Sequence, residues 1–413
     1  MRSSFKTIGM SVAVAAAMTA TQAKAQTIPP APTDTMNDPV RIMVSRLNLD
    51  GYKNTIKGLT QFGDRRQGTQ RNRDAVDWIE AQLKKYGCSN TERITYQFKA
   101  PPPRQPGAAR AGGPGRAGGP GRGGNTAQGG GRIRGIRERT GVNTDSTKQP
   151  DEAVRKLDTE QSVDGERQEV YCTKVGTTHP DEMYIVGGHM DGIGWGEAAN
   201  DDGSGTALVM ELARVFSSPD VQTDRSIRFI LWNNEETGTN GARAYVEQRE
   251  ALQGKESPAG SGKYPEPKWL GMIQHDMMMF DHGMPRADGT LPPNQRPEAD
   301  VNVEFQVNSK FGEGAQKLAW YFQSANERYA TDYAARVGQH MTNTDSGPFQ
   351  DHVASISLRE NERGEQIGAG WDPNWHQPTD MFKTYSDNDF RLGMNAAQTT
   401  LSAVALLTGA KMK

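Results

Sequence analysis

Cysteine is nearly absent from this chain, with only Cys88 and Cys172 among 413 residues. That leaves too few thiolates for a metal site built from cysteine, which draws on three or four at once. Long apolar runs are also missing. The longest, Ile8–Ala20, falls short of the about 20 residues that a membrane span needs, and no other segment is long and apolar enough to cross a bilayer. No internal repeat is visible. Charge of one sign is lacking too: the formal net charge is −2, so nucleic acid is not expected as the main partner. What remains is a chain long enough for one large α/β domain or two small ones.

At the N-terminus, Arg2 and Lys6 precede the run Ile8–Ala20, and Ala23-Lys24-Ala25 follows it. A charged start, a short apolar core and an A-x-A cleavage site predict a secretory signal peptide over residues 1–25. The mature chain then begins near Gln26. It loses three basic residues and no acidic one, which moves the net charge from −2 to about −5. It is expected to be soluble and exported, in the periplasm or secreted. In an oxidising compartment an even cysteine count favours a disulfide. Cys88 closes a helix before a strand at Ile94–Phe98, and Cys172 sits inside a strand at Glu169–Val175. Pairing of those strands as a hairpin would let the sulfurs meet; two buried free thiols are the alternative.

Residues 26–38 are rich in Pro, Thr and Asp and read as an extended lead-in to a single domain over residues 39–413. Helical spacing over Pro39–Leu59 predicts two short helices. A polar turn, Phe62–Thr69, leads into an amphipathic helix at Arg71–Tyr86 with Val76, Ile79, Leu83 and Tyr86 on one face. Residues 101–167 read as an insertion: 101–131 are low-complexity Pro, Gly, Ala and Arg, and 132–167 are polar without periodicity. Such a stretch buries too little apolar surface to offset its ordering entropy. Between Pro101 and Thr140 there are eight Arg and one Glu. This basic tract is either a contact for an anionic polymer or a flexible loop without a partner. From Glu169 onward strands and helices alternate. Strands are expected at Met183–Val186, Ser226–Trp232, within Trp269–Phe280 and at Ser355–Leu358. Helices are expected at Ser204–Phe216, Gly241–Glu250, Glu313–Ala330 and Asp387–Leu407. Continuous apolar strands between helices predict an α/β fold whose sheet is mostly parallel and covered on both faces.

The chemistry-bearing residues fall where apolar runs meet Gly/Asn-rich turns, and in open α/β sheets ligands bind outside the carboxyl ends of the strands. His189 in Gly188-His189-Met190-Asp191 follows a strand through two glycines, and Asp191 is spaced to accept the other ring N–H. Asp201 in Asn200-Asp201-Asp202-Gly203-Ser204-Gly205 stands where the next helix begins, a position from which a carboxylate can bridge two cations. An ordinary helix cap would account for one Asp there, but not for the whole stretch. Glu235 and Glu236, after the strand Ile227–Trp232, would repel each other unless one binds a metal while the other moves a proton. Asp276, in an apolar strand, needs a partner for its charge; His275 is the alternative donor there, since adjacent strand residues face opposite ways. His376 lies on a loop after a Gly-rich turn. Five separated segments therefore each supply a zinc-compatible donor at a loop or strand end.

Those four blocks, Gly188–Asp191, Asn200–Gly205, Asn234–Gly238 and His376–Asp380, resemble the motifs of the co-catalytic double-zinc exopeptidases. That family includes aminopeptidase Y, secreted bacterial leucyl aminopeptidases, carboxypeptidase Q and glutamate carboxypeptidase. The resemblance runs from about Leu59 to the C-terminus, interrupted by the Gly/Arg tract. It implies a mixed, twisted sheet between helices and two zinc ions per chain. His189, Asp201 and Asp276 would hold one ion, and Asp201, Glu236 and His376 the other, with Glu235 as general base. The chain departs from the family at Thr344-Asp345-Ser346, where Ser346 stands in a place often held by a Tyr or His that polarises the substrate carbonyl. His340 and His352 are nearby candidates for that task.

The function expected is an exported zinc exopeptidase acting on peptides, an aminopeptidase before all. A carboxypeptidase or dipeptidase is the first rival and needs a basic residue for a free carboxylate, with Arg243, Arg359 and Arg363 in view. A glutaminyl-cyclase-like acyltransferase with a single zinc, and an inactive scaffold whose basic loop binds anionic polymer, are the others.

Overall fold

The computed structural model describes residues 37–413 except 89, 101–140, 284–285, 287, 289, 340–343 and 361–371. The expectations for the signal peptide, for most of the lead-in, for the basic tract, for His340 and for Arg363 concern residues outside that set.

Eight strands build one sheet. They are β1 (Thr91–Phe98), β2 (Gly165–Lys174), β3 (His179–His189), β4 (Arg225–Trp232), β5 (Lys268–His275), β6 (Val301–Phe305), β7 (Ala335–Gly338) and β8 (Ser355–Arg359). Their spatial order is β1-β2-β4-β3-β5-β8-β6-β7. The middle is parallel: β3 pairs with β4 and β5, and β5 with β8. Antiparallel pairs, β1 with β2 and β2 with β4, form one flank. On the other, β6 runs antiparallel to β8 and parallel to β7. The sheet is thus mixed with a parallel centre. β6 and β7 were not expected from the sequence. At five and four residues they are too short for a periodicity of two to stand out.

Alternation along β3 assigns its two faces. Tyr184 and Val186 point into the larger core, Met183 and Ile185 into a smaller one with Trp232, Tyr245, Trp269 and Phe349. The described residues form eight α-helices, α1 (Pro39–Val44), α2 (Leu49–Thr60), α3 (Gln70–Lys85), α4 (Glu152–Asp158), α5 (Gly203–Phe216), α6 (Asn240–Arg249), α7 (Gly312–Tyr329) and α8 (Asp387–Thr408), of which α3, α5, α6, α7 and α8 pack on the sheet. Helix α5 is central, and every residue of it except Arg214 is buried. It packs on the sheet below α2 and α8, so it needs apolar side chains around most of its circumference. Helix α8 opens on a capping box of Ser386 and Asp389 and stops at Gly409, whose φ of 65° is left-handed, a conformation glycine adopts without strain. None of the described helices is long and apolar enough to cross a membrane.

β1 and β2 do pair, with Thr91 opposite Cys172, and Cys88 and Cys172 form a disulfide at a Cα separation of 6.0 Å. The free-thiol alternative is thereby removed. Residues 141–167 depart from the expectation of a stretch without packing. Asp151 caps α4, Val154 is buried, and Gln149 Nε2 donates to the carbonyls of Trp195 and Pro378 at 2.6 and 3.0 Å. The segment is held by hydrogen bonds to neighbouring loops more than by apolar burial, so a hydrophobicity argument passes over it.

Candidate metal centre

Register sets the site. His189 lies opposite Trp232, and Gly188 opposite His275, so β3, β4 and β5 end level with one another. Their next residues, the Asn233–Glu236 turn and Asp276, flank His189 along a single sheet edge. Helix α5 starts against that edge. A Cβ on Gly188 would come within 2.8 Å of the Gly205 backbone, so only glycine allows the close approach that brings Asp201 alongside. Asp202 caps α5 by accepting from Gly205 N, and also accepts from His189 N and Met277 N. It ties together the three segments that carry His189, Asp201 and Asp276.

Two donor groups result, and they share Asp201. His189 Nε2 lies 3.3 Å from Asp201 Oδ1 and 3.9 Å from Asp276 Oδ1. His376 Nε2 lies 3.0 Å from Asp201 Oδ2 and 2.8 Å from Glu236 Oε2. Within each group the donor atoms all lie within 4.8 Å of one another. Ligands about 2.0–2.2 Å from a tetrahedral ion stand roughly 3.3–3.6 Å apart, and the pair distances of 3.3 and 3.9 Å in one group and 3.0 and 2.8 Å in the other lie on either side of that spacing. All five side chains are at least nine-tenths buried.

The electrostatics ask for positive charge. Burial, the His376 cation and the nearby Asp201 act together on Glu236, leaving its carboxyl up at about 7. Burial likewise drives Glu235 well above the usual carboxylate range, assisted by Asp345, Glu236 and Asp276. Burial works against a charge on His376, but Glu236 and Asp201 outweigh it and hold the ring up at about 10. His189 is raised in the same manner, with Asp201, Asp202 and Asp276 overcoming desolvation. A cation on each group would take over the compensation that the two imidazolium protons otherwise supply. Glu236 Oε1 is buried without a hydrogen-bond partner among the described residues, an orphaned acceptor that fits a metal-binding role.

Asp191 acts through two different groups. The N–H of His189 Nδ1 is placed toward the backbone carbonyl of Asp191, at 2.9 Å, while its carboxylate stands 3.9 Å away. That carboxylate instead accepts from Glu235 N at 3.0 Å and Glu236 N at 3.4 Å, and so fixes the turn bearing both glutamates. The spacing of two residues suggested the right neighbour but not which of its oxygens is used. Asp276, and not His275, lies beside His189 and Asp201. His275 faces away, bonding the Gly187 carbonyl and Thr400, and burial lowers it to about 4.

Ser346 and His352 are each engaged with another side chain. Ser346 Oγ meets Ser357 Oγ at 2.7 Å in the core, and His352 pairs with Glu250 in a partly exposed contact. Of the basic residues considered for a substrate carboxylate, Arg243 is exposed and bonds the Gly238 carbonyl. Arg359 is fully buried, 2.9 Å from Asp276 and 3.7 Å from Glu304.

Several organising residues gave no signal of this role in the sequence. Arg65, buried in what reads as a polar turn, donates to the carbonyls of Met190, Glu197 and Ala198 and so holds the loop between His189 and Asp201. Asp380 accepts from Asn200 N and Asp201 N and fixes the shared carboxylate; its place in the His376–Asp380 stretch was the available hint. Asn234, Met277 and His376 all have left-handed backbones, with φ of 65°, 60° and 56°. For residues other than glycine that conformation carries strain that clusters at functional sites.

A shared carboxylate between two histidine-containing donor groups, at the carboxyl ends of parallel strands, defines the class: an α/β protein with a candidate two-ion metal centre. The profile of Peptidase family M28 matches residues 169–400, more than half of the chain, and the chain belongs to that family. It is similar to aminopeptidase YwaD of Bacillus subtilis, 44% identical over 69 residues, 17% of this chain and 14% of that protein. Over a longer stretch it is similar to the probable lipoprotein aminopeptidase LpqL of Mycobacterium tuberculosis, 37% identical over 242 residues, 56% of this chain and 43% of that one. The chain spans less than a fifth of the length of the first curated relatives it matches. Among solved structures, the aminopeptidase of Aneurinibacillus sp. strain AM-1 shares the fold at a TM-score of 0.56 and 18% identity, over 91% of this chain and 97% of that one.

Proposed function

We propose that this protein is an exported zinc-dependent exopeptidase, first of all an aminopeptidase, that binds two zinc ions. The observation that carries this reading is Asp201, which offers one oxygen to each donor group. His189 and Asp276 would complete one position, and His376 and Glu236 the other. When bound, the two ions polarise the scissile carbonyl and acidify the attacking water.

The chain's own residues then handle protons and position. Glu235 belongs to neither donor group and stands next to Glu236, on a turn whose N–H groups are held by Asp191. As general base it takes a proton from the water whose oxygen bonds to the carbonyl carbon. As the C–N bond breaks it returns that proton to the leaving amine. Its burial favours this exchange, because a raised carboxyl accepts and gives a proton closer to neutral pH.

Among the described residues, the commitment of Arg359 to Asp276 and Glu304 withdraws it from a free C-terminal carboxylate, which supports an aminopeptidase. The relatives carry both names, aminopeptidase for YwaD and LpqL and Carboxypeptidase Q for the Xenopus laevis and Mus musculus proteins, so the preference rests on Arg359. Two complete donor groups favour a two-zinc hydrolase over a single-zinc cyclase. The disulfide and the N-terminal sequence support export. Glu235→Gln tests the assignment. Zinc content is expected to stay unchanged while turnover of a leucyl anilide falls by about 10²–10⁴-fold; unchanged turnover would refute it.

A further inference from the structure

We infer that Arg359 makes the two metal positions unequal, by weakening the one formed by His189 and Asp276. This rests on the two-metal reading above. At the end of β8, beside β5, Arg359 is fully buried, with Nη2 2.9 Å from Asp276 Oδ2 and Nε 3.7 Å from Glu304 Oε2. Asp276 faces His189 with its other oxygen, Oδ1. The carboxylate is therefore divided: one oxygen is turned to the donor group while the other neutralises a guanidinium that cannot lose its proton. A carboxylate already paired with a full cation donates less charge to a metal, and the guanidinium adds its own repulsion in a site where water does little screening.

The second position has no such competitor. Glu236 Oε2 faces His376, and Glu236 Oε1 is buried without a hydrogen-bond partner among the described residues, so both oxygens are open to one ion. One feature favours the first position: His189 Nδ1 is anchored on the Asp191 carbonyl, which raises the basicity of the ligating nitrogen. A neutral carbonyl acting through a ring is a smaller effect than a cation bound directly to the ligand carboxylate. Arg359 is thus a positioning residue that keeps Asp276 a one-oxygen donor and leaves the His189 ion the more readily lost.

The test is calorimetric titration of zinc into the full chain after chelation. The wild type is expected to bind two ions in steps at least tenfold apart in affinity. His189→Ala should remove the weaker step and leave the tighter one. In Arg359→Gln the weaker step should tighten at least tenfold while the tighter one stays in place. In Glu304→Gln, which gives Asp276 a larger share of the guanidinium, the weaker step should weaken further; this variant keeps the test open if Arg359→Gln fails to fold. Two equal steps in the wild type, or a weaker step that moves in neither variant, would overturn the inference. Failure of the wild type to bind two zinc ions would overturn the two-metal reading instead.

Discussion

Asp191→Asn separates two ways in which a buried acid can serve this site. In the structure its carboxylate accepts the backbone N–H groups of Glu235 and Glu236, whereas the His189 ring is held by its backbone carbonyl, which the substitution keeps. Asparagine retains one accepting oxygen but turns an NH2 toward the other N–H. At least one charge-assisted hydrogen bond is lost, and such bonds are worth about 1.5–3 kcal/mol each. If that loss falls on the placement of Glu235 in the transition state, at about 1.4 kcal/mol per factor of ten, kcat falls roughly ten- to hundredfold. The assay is steady-state hydrolysis of a leucyl anilide with zinc measured on the same preparation. Zinc content and KM are expected to change little. Loss of one zinc with the variant still folded would mean that the Asp191 carboxylate, too, acts on His189, and an undiminished kcat would refute its hold on the turn.

Replacing both Cys88 and Cys172 by Ala opens a loop whose ends lie 84 residues apart in sequence. The chain-entropy relation puts the loss at about 4.5 kcal/mol, readable as a lower urea midpoint, with zinc content unchanged; an unmoved midpoint would contradict it. Asp158 gives a pH dependence. Burial and the neighbouring Asp64 push its carboxyl up to about 8, above its value of about 4 in the unfolded chain. The folded protein thus binds that proton more tightly, and the stability gained is full at low pH and lost as pH rises through about 8. Between about pH 5 and about pH 9 the wild-type midpoint should fall more than that of Asp158→Asn. Equal slopes would show that Asp158 does not titrate in this way.

The centre of the fold was legible because its strands are apolar throughout and its helices begin at recognisable caps, as Asp202 and Ser386 show. His189, Glu236 and Asp276 stand at or just after strand ends and Asp201 just before a helix start, so the convergence of these four followed once the strand order was known, while His376 comes from a loop. Less legible was whatever depends on backbone atoms or on distant partners. The correct oxygen of Asp191 could not be chosen from spacing. Arg65 reads as one arginine among several in a polar turn, and three of its carbonyl partners lie about 130 residues downstream. The left-handed Met277 carries no sequence mark, since methionine does not favour that conformation, and His376 carries only a weak one, histidine being among the residue types enriched there. Residues 141–167 were passed over because their order comes from hydrogen bonds such as those of Gln149, to which hydrophobic periodicity is blind.

The central claim, that the paired donor groups around Asp201 hold two catalytic zinc ions, is tested most directly by elemental analysis of the purified chain joined to a leucyl-anilide assay before and after chelation. The account predicts close to two zinc ions per chain, with hydrolysis abolished by the chelator and restored by zinc. One zinc or none after supplementation, or hydrolysis that survives complete removal of metal, would contradict it.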